Sequence, residues 1–202
     1  MTGAEENNLV DAIGMSPIAM VISNPRRPDN PLEVANAKFC SLTGFAESEI
    51  VGRNCRFLAG AGTDEATNER IRRAIAGRRP VLVDILNYRA DGTAFRNGVM
   101  ISPIFGGDGD LAFFLGSQVD LGDDRLDPLA ERRESAAKRV AELPPRQREV
   151  LACMARGLLN KQAAWELRIS EKTVKMHRAL LLERLGVATS AEAIRIAVEA
   201  GL

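Results

Sequence analysis

One of the chain's three cysteines sits where its neighbours could make use of a sulfur. In Gly52-Arg53-Asn54-Cys55-Arg56-Phe57-Leu58 the thiol lies between polar and cationic side chains, in a short helical turn entered through a glycine. Arg53 and Arg56 could favour the thiolate or hold a phosphate, because a guanidinium is permanently charged and bidentate toward such anions. Taken alone, Cys55 reads as a small buried apolar residue; the run around it reverses that order. Cys40, Cys55 and Cys153 are scattered and form no CxxC pair, so neither a disulfide framework nor a zinc site is suggested. The single histidine, His177, stands in a Lys-Met-His-Arg run near the C-terminus, which removes most histidine-based hydrolase and metalloenzyme schemes. The chain is read as a non-enzyme.

A second group of residues points to a polyanion. Divided after Glu142, the neutral chain splits into a front with 17 basic and 21 acidic residues, net −4, and a tail with 10 and 6, net +4. Such a tail suits a negatively charged partner and also permits the two parts to attract each other. Within the tail, Ser170 is a natural N-cap for a helix from Glu171 to Leu185. Val174, Leu181 and Leu185 there follow a core spacing, leaving Lys172, Lys175, Met176 and Ala179 on another face that can enter a DNA major groove.

The elements that must position these groups fall into two sets, as expected of 202 residues. Strands are predicted at Ala19 to Ser23 and Leu32 to Ala35, paired across a loop fixed by three prolines, then at Pro80 to Tyr88, Thr93 to Pro103 and Asp110 to Asp120, joined at glycine-rich turns. Between the second and third come helical pieces: Ala37 to Thr43, a turn at Glu47 to Ile50, and Thr63 to Ala76, closed by Gly77. Pro128 to Glu142 reads as a charged connector helix with Leu129, Arg133, Ala136, Ala137 and Val140 as its inner stripe. Beyond Pro144-Pro145 the pattern is helical: a first helix ending near Arg156-Gly157, then Asn160 to Leu167, Glu171 to Leu185 and Ser190 to Ala200. No apolar stretch approaches the ~20 residues of a membrane helix, and the acidic N-terminus lacks a basic signal region, so a cytoplasmic location is expected.

Five antiparallel strands with helices between the second and third describe an α+β sensor of the PAS type, and the run Gly52 to Leu58 resembles the signature of its light–oxygen–voltage (LOV) branch of flavin-binding blue-light receptors. The resemblance covers Ser16 to Leu121. It implies that Cys55 forms a light-driven bond to carbon C4a of a flavin. It also implies that Arg56 and Arg72 clamp the flavin's phosphate, favouring FMN over riboflavin, and that Asn87 and Asn97 read the pyrimidine edge of the ring. Gln118 would lie beside N5 and O4, and Asn54 on the ribityl chain. In one respect the sequence departs from the family, which has a glutamine after Phe-Leu where this chain has Ala59 followed by Gly60; affinity or adduct lifetime is expected to change, with binding kept.

The tail, Leu143 to Leu202, resembles the LuxR-type helix-turn-helix (HTH), an all-α domain of four helices, in Arg146-Gln147-Arg148-Glu149-Val150-Leu151 and in Ile169 to His177. That likeness implies double-stranded DNA as partner. Lys172, Thr173, Lys175, Met176 and Arg178 would approach bases or phosphates, and Lys161 the backbone; Trp165 and His177 receive no role. The chain is thus read as an N-terminal extension at 1–15, a sensor at 16–121, a linker and connector helix at 122–142 and an HTH domain at 143–202. Gln118 ends the last strand close to the joint, so a change at flavin N5 is expected to loosen a dark-state contact that covers the fourth HTH helix, with its stripe of Ala193, Ile196, Ala197 and Ala200. Freed by light, that helix would pair with a second copy and place two recognition helices on adjacent half-sites, with RNA polymerase downstream. The competing readings are a PAS redox or small-ligand sensor on the same HTH, a flavin or thiol enzyme with Cys55 as nucleophile, and an adaptor whose helical tail binds protein.

Overall fold

A computed structural model describes residues 10–107, 109–122 and 128–202. Its front half is an antiparallel sheet of five strands: β1 (Ala19–Ser23), β2 (Leu32–Ala35), β3 (Val81–Tyr88), β4 (Ala94–Phe105) and β5 (Leu111–Asp120), in the spatial order β2-β1-β5-β4-β3. The first and last strands meet at the centre, Ala19 opposite Gln118 and Ser23 opposite Phe114. Between β2 and β3 lie α1 (Ala37–Thr43), α2 (Glu47–Ile50), a 3₁₀ turn (Cys55–Leu58) and α3 (Glu65–Ala76). Asp64 is the N-cap of α3, its side chain accepting from the amides of Ala66 and Thr67, which starts the helix two residues later than the predicted Thr63. At the other end Gly77 keeps a negative φ of −81°, and it is Arg78, at φ 50°, that takes the left-handed position.

The second half holds α4 (Pro128–Ala141), α5 (Pro145–Ala155), α6 (Asn160–Leu167), α7 (Glu171–Leu185) and α8 (Ser190–Glu199). Residues 123–127 of the predicted linker and connector, and residues 1–9 of the N-terminal extension, lie outside the described residues. Residues 10–14 are helical, with Ile13 fully buried. The inner stripe of α4 differs from the expected one. Leu129, Ala136 and Val140 are buried, but Arg133 and Ala137 are exposed. Arg132 and Arg139 take the inner positions, the first near Glu199 at 3.7 Å and the second donating to the Leu185 carbonyl. Long aliphatic stems let arginines cover apolar surface while their heads find partners, which a periodicity of apolar residues does not register.

Strand alternation divides the sheet between two tasks. Val21, Val99, Ile101, Phe114 and Gly116 face the helices of the front half, around a cavity. Met20, Ile22, Met100, Ile104, Phe113 and Leu115 face the other way and join Val150, Leu151, Ala193 and Ile196 of the helical half in one apolar cluster. Both faces are therefore covered, and β5 is buried at seven consecutive positions.

Candidate functional site

The cavity encloses about 330 Å³, within the range of small-molecule pockets. Cys55 opens the 3₁₀ turn on its wall. Asn54 caps that turn, its Oδ1 accepting from the Arg56 amide at 3.0 Å, while its Nδ2 donates to the Asp29 carbonyl at 2.6 Å. Desolvation pushes the Cys55 thiol up to about 12, so it is held as S–H. This corrects the expectation that neighbouring arginines favour a thiolate. Arg53 lies instead over the rings of Phe57, at 4.4 Å, and Phe45, at 5.9 Å.

Three amides arrive from three neighbouring strands, Asn87 from β3, Asn97 from β4 and Gln118 from β5. The Nδ2 of Asn97 donates to Asn87 Oδ1 at 2.9 Å, and Asn87 Nδ2 to the Leu86 carbonyl at 3.2 Å. Asn97 Oδ1 and Gln118 Oε1 are buried without a protein partner, as is Oδ1 of Asn30, another cavity-lining residue. A buried amide oxygen left unpaired costs ~1 to 3 kcal/mol, so these atoms argue for a polar planar ligand. The apolar walls, Leu58, Ile71, Ile75, Ile85 and Ile101 among them, suit the faces of an extended ring system. The residues present thus fit a flavin. Asn30 escaped the sequence reading; its signal was the Asp29-Asn30-Pro31 turn, where both Asp29 and Asn30 take positive φ, 68° and 47°.

Arg56 and Arg72 also line the cavity, at its mouth, and both are occupied: Arg56 by Asp29 at 2.5 Å, Arg72 by Glu65 at 2.7 Å and Glu69 at 3.1 Å. Ala59 lines the wall, and a Cβ on Gly60 would come within 2.4 Å of the Tyr88 ring, so any side chain there would have to displace that ring.

In the helical half, α6 and α7 form a helix-turn-helix joined by Arg168 in the left-handed conformation. Ser170 caps α7, accepting from the Thr173 amide at 3.0 Å, and Val174, Leu181 and Leu185 are buried as expected. Lys161, Lys172, Lys175 and Met176 are exposed and Thr173 is half-buried beside Ser170. Arg178 faces inward and stands apart from that set, donating to Asn160 Oδ1 at 2.6 Å and Ser190 Oγ at 2.9 Å. Burial lowers its pKa, and the two hydrogen bonds tie α7 to the starts of α6 and α8.

The two halves meet over the outer face of the sheet. Arg195 of α8, 3% exposed, donates to Ser117 Oγ at 2.6 Å and to the Gly98 carbonyl, and pairs with Glu199 at 2.7 Å. Ser102 Oγ donates to the Ala155 carbonyl at 2.8 Å, the Phe105 amide to the Gly157 carbonyl at 3.1 Å, and Gln162 Nε2 to the Gly106 carbonyl at 3.0 Å. Approach is so close that a Cβ on Gly157 would lie 1.9 Å from the Pro103 oxygen.

Residues 17–123 match the PAS domain family model, and residues 141–197 the model described as bacterial regulatory proteins, luxR family. The blue-light-activated histidine kinase 1 of Erythrobacter litoralis is 41% identical over 181 residues, 89% of this chain and 48% of that protein. The chain spans between 27% and 48% of the length of the first curated relatives it matches. Among solved structures, the LOV domain of the Erythrobacter litoralis EL346 blue-light activated histidine kinase is 40% identical, with a TM-score of 0.52 over 54% of this chain and 99% of that one. A structure described as "Flavin Analogue Sheds Light on Light-Oxygen-Voltage Domain Mechanism" is 38% identical, with a TM-score of 0.59 over 66% of this chain and 98% of that one.

Proposed function

Given that the chain belongs to the PAS family, in its LOV photoreceptor branch, and carries a luxR-type helix-turn-helix, we propose that it is a transcription factor whose DNA binding is set by blue light through Cys55 and FMN. Consecutive residues of β5 carry this reading. Gln118 points into the cavity with its Oε1 unpaired, and Ser117 points outward to Arg195 of the DNA-binding half.

Asn87, Asn97 and Gln118 would hold the ring edge, Asn54 and Asn30 the ribityl chain, and Arg56 and Arg72 the phosphate. When bound, the flavin supplies blue-light absorption and an electrophilic carbon, C4a. Cys55, kept as a thiol by its surroundings, brings both the sulfur and the proton that such a bond requires. Gln118 has an oxygen and an NH₂ at its tip, so turning it over answers a change at N5 from acceptor to donor. Its motion falls on the strand that holds Arg195.

Docked, α8 has Ala193, Ile196 and Ala197 buried, whereas Lys172, Lys175 and Met176 on α7 are open to solvent. Release of α8 would let two copies pair through it and present two recognition helices to one double-stranded site, with RNA polymerase as the machinery acted upon. The chain does this as a binding protein, without catalysis, in the units expected from its sequence: sensor 16–121, linker and connector 122–142, HTH domain 143–202. Among the described residues no helix is long and apolar enough to cross a membrane.

Dark and illuminated visible spectra of the wild type and Cys55→Ala, paired with gel shifts in both conditions, test the proposal. The wild type is expected to be yellow, to bleach reversibly and to bind DNA more tightly in light, while the variant stays yellow and unresponsive. A spectrum indifferent to light, or equal DNA affinity in light and dark, rejects light control and favours a redox or small-ligand sensor.

A further inference from the structure

The two ends of the cavity are built differently. At the closed end Asn97 is fully buried and Gln118 is 2% exposed, each with an amide oxygen aimed into the cavity that no protein group satisfies. At the mouth, the Arg56 and Arg72 side chains are 66% and 59% exposed and already neutralised. Nη2 of Arg56 meets both carboxylate oxygens of Asp29, at 2.5 and 2.6 Å. Nη1 of Arg72 meets Glu65 and Glu69, which stand seven and three positions before it on the same face of α3. Two guanidinium charges therefore face three carboxylates before any phosphate arrives.

Resting on the flavin reading above, we infer that Asp29, Glu65 and Glu69 set how much a flavin's phosphate contributes to binding, so that this pocket takes riboflavin within about tenfold of FMN. A phosphate dianion entering the mouth must share each arginine with a carboxylate that repels it. Water on all sides screens both the attraction and the repulsion, so neither dominates binding. The buried polar contacts belong to the ring edge, where riboflavin and FMN are identical.

Titration of the full-length apoprotein with riboflavin and with FMN, followed by quenching of flavin fluorescence, tests this. Wild-type affinities for the two should differ by less than about tenfold. Asp29→Asn keeps a residue type that tolerates positive φ; it should tighten FMN about three- to tenfold and leave riboflavin unchanged. The gain should shrink at high salt. Glu65→Gln with Glu69→Gln, on the exposed face of α3, should act in the same direction, and thermal melts identify any variant that has lost its fold. A wild-type preference for FMN of more than about tenfold overturns the inference, as does either variant shifting both flavins equally; both results leave a flavin protein standing. If neither flavin binds the wild type, the flavin reading falls and this inference with it.

Discussion

Cys55 shows how a neighbourhood decides the form of a reactive group. Two flanking arginines suggest a thiolate when the sequence is read as a line; folded, Arg53 stacks on Phe57 and Arg56 turns to Asp29, and the sulfur is left to burial. Its raised pKa carries a sign. A thiol that loses its proton near 9 when unfolded and near 12 when folded contributes nothing to pH dependence below 9, and stability falls as pH rises from 9 toward 12, because only the native state keeps the proton. The alkaline limb of a urea-denaturation series on the wild type should therefore be steeper than that of Cys55→Ala, by up to ~1.4 kcal/mol per pH unit. Bleaching amplitude, by the same reasoning, should be flat between pH 6 and 9, since the thiol stays protonated across that interval; an amplitude that climbs with pH would mean that a thiolate is the reactive form.

The helices and strands were legible where one residue type fixes a boundary. Ser170 sets the start of α7 and Asp91-Gly92 turns β3 into β4, and both are found as read. The pattern puts the start of α3 two residues early because Asp64, whose carboxylate accepts from the Thr67 amide at 2.8 Å, is a cap only where the chain bends. Helical spacing puts Arg178 with the groove-facing residues because it gives a face but not what packs on it; in the fold Asn160 and Ser190, 18 and 12 positions away, hold it inward. Asn30 is legible as a turn residue but not as a cavity residue, since nothing in a line shows that a turn residue will sit beneath the same cavity as a strand amide. At this scale the caps supply a direct test. Ser170→Ala removes one capping bond and should lower the stability of the helical half by ~1 kcal/mol, read as a lower denaturation midpoint by circular dichroism, with weaker DNA binding and an unchanged flavin spectrum.

At the scale of the whole molecule, sensing and output share a sheet. Ser102 and Ser117 are fully buried on its outer face and bond to Ala155 and Arg195. Replacing either by alanine should weaken docking by ~1 to 2 kcal/mol, raising dark DNA affinity by about five- to thirtyfold while light absorption and bleaching stay as in the wild type. Dark gel shifts decide: an unchanged affinity with a normal spectrum would place the restraint elsewhere. The apolar cluster that runs from Met20 and Leu115 into Val150 and Ile196 has one more consequence. An engineer who excised the photosensory portion to drive some other effector would expose an oily sheet, and the excised piece would precipitate or self-associate unless the new cargo, or a solubilising substitution, shielded it.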